Sequence, residues 1–204
     1  EFALPRPGDY KEEFENLKTR VDREREMGRE IVVVMGVGFV GAVMAAIVAD
    51  TVNEKGEPSK FVIGMQRPSV RSYWKIPLLN RGVSPVKAED PEVDPMIARC
   101  VREKKTLIAT YTYDVLKLAD VVVVDVQCDY IKEDLGNVRS GHTDMAALES
   151  SLGVIAEHVP PEALVLIETT VAPGTTEQVA YPIMKKAFRK RGIESDPLLA
   201  HSYE

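Results

Sequence analysis

The residues with the clearest chemical meaning are three glycines in the run Gly36-Val37-Gly38-Phe39-Val40-Gly41. Glycines at this spacing can turn the chain tightly, bring bare backbone up to a ligand, and start a helix close against a strand. The free N–H groups of a helix's first turn carry partial positive charge and suit a phosphate. The pattern is short, so its context decides its meaning. Residues 31–35 before it are a valine-rich apolar run of the kind buried on both faces of a parallel sheet. Residues 39–50 after it are small and apolar and read as a helix. Strand, glycine turn and helix in that order point to the pyrophosphate of a dinucleotide. Gly36 then makes the turn, Gly38 faces the phosphates, and Gly41 packs the helix on the strand.

A second group sits at the end of the next strand, residues 61–64. An acidic residue there ordinarily binds the ribose hydroxyls. This chain has Gln66 followed by Arg67. Gln66 can hydrogen-bond a hydroxyl without repelling a phosphate, and Arg67 or Arg71 can meet a 2′-phosphate, so NAD and NADP both stay open. Two later loops follow strands, at the ends where such sheets bind ligands: Val126-Gln127-Cys128-Asp129, and the run from Glu168 to Thr176. Cys128 reads as a small, partly buried thiol rather than a nucleophile. Thr175 reads as a helix cap.

The elements that must position these groups alternate. Residues 9–27 form an amphipathic helix capped by Asp9, with Tyr10, Phe14, Leu17 and Val21 on one face. They make an N-terminal helical extension over residues 1–28, packed on the domain or on a partner subunit. Over residues 29–204 strands are expected at 31–35, 61–64, 106–110, 121–126, 163–167 and, in part, 198–201. Helices are expected at 39–50, near 69–80 with Pro77 bending or ending it, and at 91–104 from Asp90 and Pro91. A short helical piece at 114–119 and helices from Thr143 or Asp144 to 158 and at 175–190 complete the pattern. In the helix ending at 158, Met145, Leu148, Leu152 and Ile155 face inward. Alternation of this kind means an α/β chain: a Rossmann-type, doubly wound, mostly parallel sheet with helices on both faces.

Composition narrows the partners. The 204 residues are 45% hydrophobic and 28% charged, a globular balance. A net charge of -6, from 26 basic and 32 acidic residues, argues against nucleic acid. No apolar run is long enough for a membrane. The first residues do not resemble a signal peptide, so a cytoplasmic location is expected. Cys100, Cys128, His142, His158 and His201 are scattered, and no metal site is expected.

Taken in order, the motifs resemble the NAD-binding amino-terminal domain of the UDP-glucose/GDP-mannose dehydrogenase family, whose members oxidise the C6 alcohol of a nucleotide sugar to a carboxylate. The family's Gly-x-Gly-Tyr-Val-Gly is similar to residues 36–41, with Phe39 for tyrosine. Its Leu-Asn-x-Gly-x-Ser-Pro-Ile matches Leu79-Asn80-Arg81-Gly82-Val83-Ser84-Pro85-Val86. Its Ser-Thr-Val-x-Pro-Gly-Thr-Thr matches residues 169–176, with Thr169 for serine. Its Ser-Pro-Glu resembles Ser202-Tyr203-Glu204. The resemblance covers about residues 30–204 and omits the first helix. It implies that Gly36, Val37, Gly38, Phe39, Val40 and Gly41 lie along the cofactor pyrophosphate. Gln66 then takes the family's aspartate position, and Arg71 falls where a basic residue near the adenosine is often found. Val126, Gln127 and Cys128 line the cofactor cleft, where Cys128-Asp129 replaces the family's Thr-Pro. Thr170 stands near both the cofactor and the catalytic centre, and Glu204 matches a glutamate of acid–base chemistry. It also implies NAD as cofactor, a nucleotide-sugar substrate, and a homodimer in the full-length protein. The family's catalytic cysteine belongs to a second domain that follows a central helix, and this chain ends before those segments. A non-catalytic module that binds NAD(P) or a nucleotide sugar is the other reading these residues allow.

Overall fold

Side chains alternate across the central strand and divide the core in two. The computed structural model describes residues 2–137 and 139–202. After helix α1 (Asp9–Glu26) comes strand β1 (Glu30–Met35), whose Ile31, Val33 and Met35 enter one apolar cluster while Val32 and Val34 enter the other. Then follow α2 (Phe39–Asp50), β2 (Lys60–Met65), α3 (Lys75–Asn80), α4 (Val93–Arg102) and β3 (Leu107–Thr110). A 3-10 turn at Tyr113–Leu118 leads to β4 (Val121–Val124), an exposed ribbon of β5 (Asp129–Ile131) and β6 (His142–Asp144), and α5 (Ala146–His158). The chain continues through β7 (Leu164–Ile167), a π turn at Thr176–Ala180, α6 (Tyr181–Lys190) and β8 (Leu198–His201).

Six strands form one sheet in the order β3-β2-β1-β4-β7-β8, and every pair is parallel. Val33 of β1 stands opposite Ile63 of β2 on one side and Val122 of β4 on the other. Helices α2, α3 and α4 cover one face; α1, α5 and α6 cover the other. This is the doubly wound arrangement expected, and the chain reverses direction across the sheet between β1 and β4.

Several local expectations shift. The helix expected near 69–80 is helical only from Lys75. Pro77 lies in its first turn, where a missing N–H costs nothing, so it starts the helix rather than ending it. Strand β4 ends at Val124, and residues 129–144 leave the sheet as the β5–β6 ribbon, which the sequence reading did not foresee. Asp144 ends that ribbon and still accepts the Ala146 N–H at 3.0 Å. Asp9 does not cap α1; its carboxylate accepts the Arg6 N–H of the preceding turn at 2.7 Å. Thr175 donates to the Ala172 carbonyl at 2.7 Å instead of capping the next helical stretch.

Helix α1 is packed on the sheet itself. Leu17 and Val21 are buried against Ile31 and Phe61, a surface that the short crossover before β4 leaves uncovered. Buried Glu24 pairs with Arg20 at 2.6 Å and with Arg29. Arg25 donates to the Leu118 carbonyl at 3.0 Å and to Asp120 at 2.7 Å, and Asp120 accepts the Ile31 N–H at 2.8 Å.

Two ties secure the opposite face. Asn80 closes the outer edge of β3: its Nδ2 donates to the Ala109 carbonyl at 2.9 Å, and its Oδ1 accepts the Ala109 N–H at 2.6 Å. The side-chain amide thus stands in for a neighbouring strand and protects the edge. Asp50, at the end of α2, is gripped by Arg99 of α4 at 2.9 and 2.6 Å and by Lys104 at 2.7 Å. The Arg99 guanidinium holds the Asp50 carboxyl well below the usual carboxylate range, burial opposes this, and Lys104 adds to it.

Asn80→Ala is expected to cost roughly 2–4 kcal/mol, because two buried backbone groups lose their partners, read as a lower denaturant midpoint with an unchanged slope. A depressed folded-state pKa makes the Asp50 contribution present above the unfolded carboxylate pKa and lost as pH falls through the folded value. Between about pH 5 and pH 2, wild-type stability should therefore fall more steeply than that of Asp50→Asn, measured by denaturant melts across that range.

Candidate dinucleotide site

The crevice lies where the carboxyl ends of β1 and β4 meet. Gly36 leaves β1 with φ +103°, and its N–H donates to the Met65 carbonyl at 2.9 Å. A Cβ placed there would run into the Asp125 carbonyl just past β4. A Cβ at Gly41 would meet the Gly36 carbonyl and, at 2.6 Å, Asp125 Oδ2. Both positions therefore require glycine for reasons internal to the chain. Gly38 does not: its φ is -84°, and a Cβ there would meet nothing within 4 Å. It faces open space at the start of α2, whose first turn has neither a side-chain cap nor an acidic residue. An anion there would find free backbone N–H groups and the positive end of the helix dipole. The backbone at Gly38 and α2 thus fits a phosphate-bearing ligand.

The Val37 side chain is fully buried, so only its backbone faces the turn. Its N–H donates to Gln66 Oε1 at 3.2 Å, which joins the β2 end to the glycine turn. Met35, Gly36, Gln66, Arg67, Tyr113 and Val126 line a cleft of about 330 Å³, bounded across the gap by Ala146, Ser150 and Val154 of α5. Larger hollows open elsewhere, beside Ser84–Pro85 and beside Phe2 and Trp74. Of the expected residues, the cleft at the strand reversal gathers Gly36, Gln66, Arg67 and Val126, whereas Phe39 and Val40 line a separate shallow hollow on α2 with Val43, Met44 and Ile47. Phe39, at the first turn of α2, is 64% exposed.

The remaining candidates divide. Gln127 turns onto Asp129 at 2.8 Å, and Cys128 is half-buried against the core beneath the ribbon. Burial pushes the Cys128 thiol up, and the nearby Asp144 carboxylate adds to this, the reverse of an activated nucleophile. Burial likewise lifts the Cys100 thiol to about 11. Thr170 is exposed on the loop after β7, and Arg71 is not among the residues lining the cleft. Glu204 lies outside the described residues.

Two residues outside the expected site residues shape the site. Thr169 is buried; its Oγ1 accepts the Val126 N–H at 3.0 Å and donates to the Val126 carbonyl at 2.8 Å, fixing the loop that walls the cleft. Its hydroxyl in a position that otherwise reads as turn chemistry was the available signal. Asp125 supplies the backbone against which Gly36 closes, and nothing in the valine run announces that contact.

These features define a dinucleotide-binding domain. The comparisons make the class specific: the model of the UDP-glucose/GDP-mannose dehydrogenase family NAD binding domain matches residues 30–202, and this chain belongs to that family. The chain is 27% identical over 173 residues to a UDP-N-acetyl-D-mannosamine dehydrogenase from Pyrococcus horikoshii, covering 85% of this chain and 36% of that protein. It is 23% identical over 165 residues to a GDP-mannose 6-dehydrogenase from Pseudomonas putida, covering 79% and 33%. Among solved structures it resembles an NDP-N-acetyl-D-galactosaminuronic acid dehydrogenase from Methanosarcina mazei, with TM-score 0.72 and 30% identity over 90% of this chain and 37% of that one. The chain thus spans about a third of the length of these relatives. The motif match begins after α1, as the sequence indicated. Among the described residues, no helix is long and apolar enough to cross a membrane.

The two kinds of glycine can be separated experimentally. Gly41→Ala is expected to cost about 1–3 kcal/mol through overpacking. Gly38→Ala should leave stability within about 1 kcal/mol while abolishing measurable NAD⁺ binding. Thermal melts paired with an NAD⁺ titration check both.

Proposed function

We propose that this chain is the cofactor-holding part of a nucleotide-sugar 6-dehydrogenase, an enzyme that oxidises the C6 alcohol of a UDP- or GDP-linked sugar to a carboxylate. Such an oxidation removes two hydrides and adds one water. The observation that carries the reading is the glycine turn: two of its glycines are demanded by the chain's own packing, while Gly38 opens on free space at the uncapped start of α2, where a phosphate would find backbone N–H groups. A bound nicotinamide supplies the hydride acceptor. The protein's task is to bind and orient. The backbone at Gly38, Phe39 and Val40 holds the pyrophosphate, Gln66 and Arg67 face the adenosine ribose, and Val126, fixed by Thr169, walls the nicotinamide side. Thr170 and Glu204 carry the family's catalytic positions in this proposal, alongside substrate groups contributed from outside these residues. A homodimeric full-length enzyme and a cytoplasmic setting belong to the same proposal, the latter supported by two free thiols.

Neither cysteine is placed to act as the nucleophile that would capture an aldehyde, since Cys100 is buried between α2 and α4 and Cys128 resists ionisation. These 204 residues are therefore expected to bind NAD⁺ in a calorimetric titration yet to form no NADH with any UDP- or GDP-sugar. Steady turnover by this chain alone would overturn the assignment of the nucleophile to another segment. Absence of binding of both NAD⁺ and NADP⁺ would overturn the cofactor role.

A further inference from the structure

The adenosine end of the cleft departs from what an NAD site requires. We infer that this site accepts a dinucleotide carrying a 2′-phosphate on its adenosine ribose at least as readily as NAD itself, with Gln66 and Arg67 as the residues that set the preference; this rests on the dinucleotide-binding reading above.

A carboxylate at the end of β2 can only accept hydrogen bonds, so it pairs with ribose hydroxyls, and its charge repels a phosphate. Gln66 reverses both properties. It is neutral, and its Oε1 is taken up by the Val37 N–H at 3.2 Å. The acceptor is therefore turned inward onto Val37, which leaves the amide's Nε2 donors for the cleft that Gln66 lines. A free donor suits a phosphate oxygen.

The charge around it points the same way. Arg67 lines the same cleft and is exposed. It lies near enough to Tyr113 for its positive charge to act against the upward push of burial on that hydroxyl. From Gln66 to Lys75 the chain carries Arg67, Arg71 and Lys75 and no acidic residue. The acids of α1 nearest this end act on other groups: Glu13 accepts the Thr110 hydroxyl at 2.7 Å, and Asp9 and Glu13 face Tyr73 and Tyr111. A guanidinium presents a planar fork matched to phosphate oxygens. Arg67 is the principal partner, since Arg71 does not line the cleft.

The test is calorimetric titration of the chain with NAD⁺ and with NADP⁺, read as the ratio of the NADP⁺ Kd to the NAD⁺ Kd. The wild-type ratio is expected at or below one. Gln66→Asp should raise it about tenfold or more, and Arg67→Ala about fivefold. A wild-type ratio clearly above one, or a ratio unmoved by Gln66→Asp, overturns the inference and leaves the dinucleotide reading standing. Binding of neither cofactor by the wild type overturns both. Because each variant is judged by a ratio, a general loss of fold lowers both affinities and cannot imitate the expected change.

Discussion

The turn after β1 can close only because its chain passes directly over the backbone at the end of β4. Gly36 stands against the Asp125 carbonyl, and Gly41 stands against Gly36 and the Asp125 side chain. Any side chain at either place would force β1 and β4 apart or lift α2 off the sheet. The central strand pairing, the angle at which α2 descends, and the aim of its free N–H groups all follow from that approach. The alanines of α2 extend the same constraint downward. Ala42, Ala45, Ala46 and Ala49 are fully buried, so the helix lies close along its whole length. The Gly38 carbonyl starts the helix by accepting the Ala42 N–H at 3.2 Å, but no packing contact requires a glycine there.

Most of the ion pairs that tie helices down lie at the opposite end of the sheet from the glycine turn. The ionic ties cluster where strands begin and α2 ends: Glu24 with Arg20 and Arg29, Arg25 with Asp120, and Asp50 with Arg99 and Lys104. They hold α1 on the sheet and α4 on α2, and bind backbone groups such as the Ile31 N–H. At the carboxyl ends, hydrogen bonds from Gln66 to Val37 and from Thr169 to Val126 shape the cleft.

The fold was legible because its signals were local. A continuous valine-rich run predicts a strand buried on both faces, and the glycine spacing after it predicts the turn and helix; α2 spans the residues expected of it. The boundaries that failed did so through pairing. The strand expected through Val126 ends at Val124, because the backbone leaves the sheet there, Asp125 meeting Gly36 and Val126 meeting Thr169. Residues 129–131 and 142–144 lack strong strand patterning, and their pairing depends on a partner segment distant in sequence.

The sequence by itself determined the strand–helix order, the doubly wound class, and the residues that could cradle a phosphate, since periodicity and residue type act over a few neighbours. The four ordered motifs also carried the family. Only the tertiary structure decided that Gln66 spends its oxygen on Val37, that Asn80 serves as an edge partner for β3, that Thr169 rather than Thr170 anchors the cleft wall, and that α1 covers the sheet. Each of these joins residues at least 29 positions apart, or an element to a face, and a hydrogen bond across such a distance depends on where the fold brings its two groups rather than on either residue's neighbours.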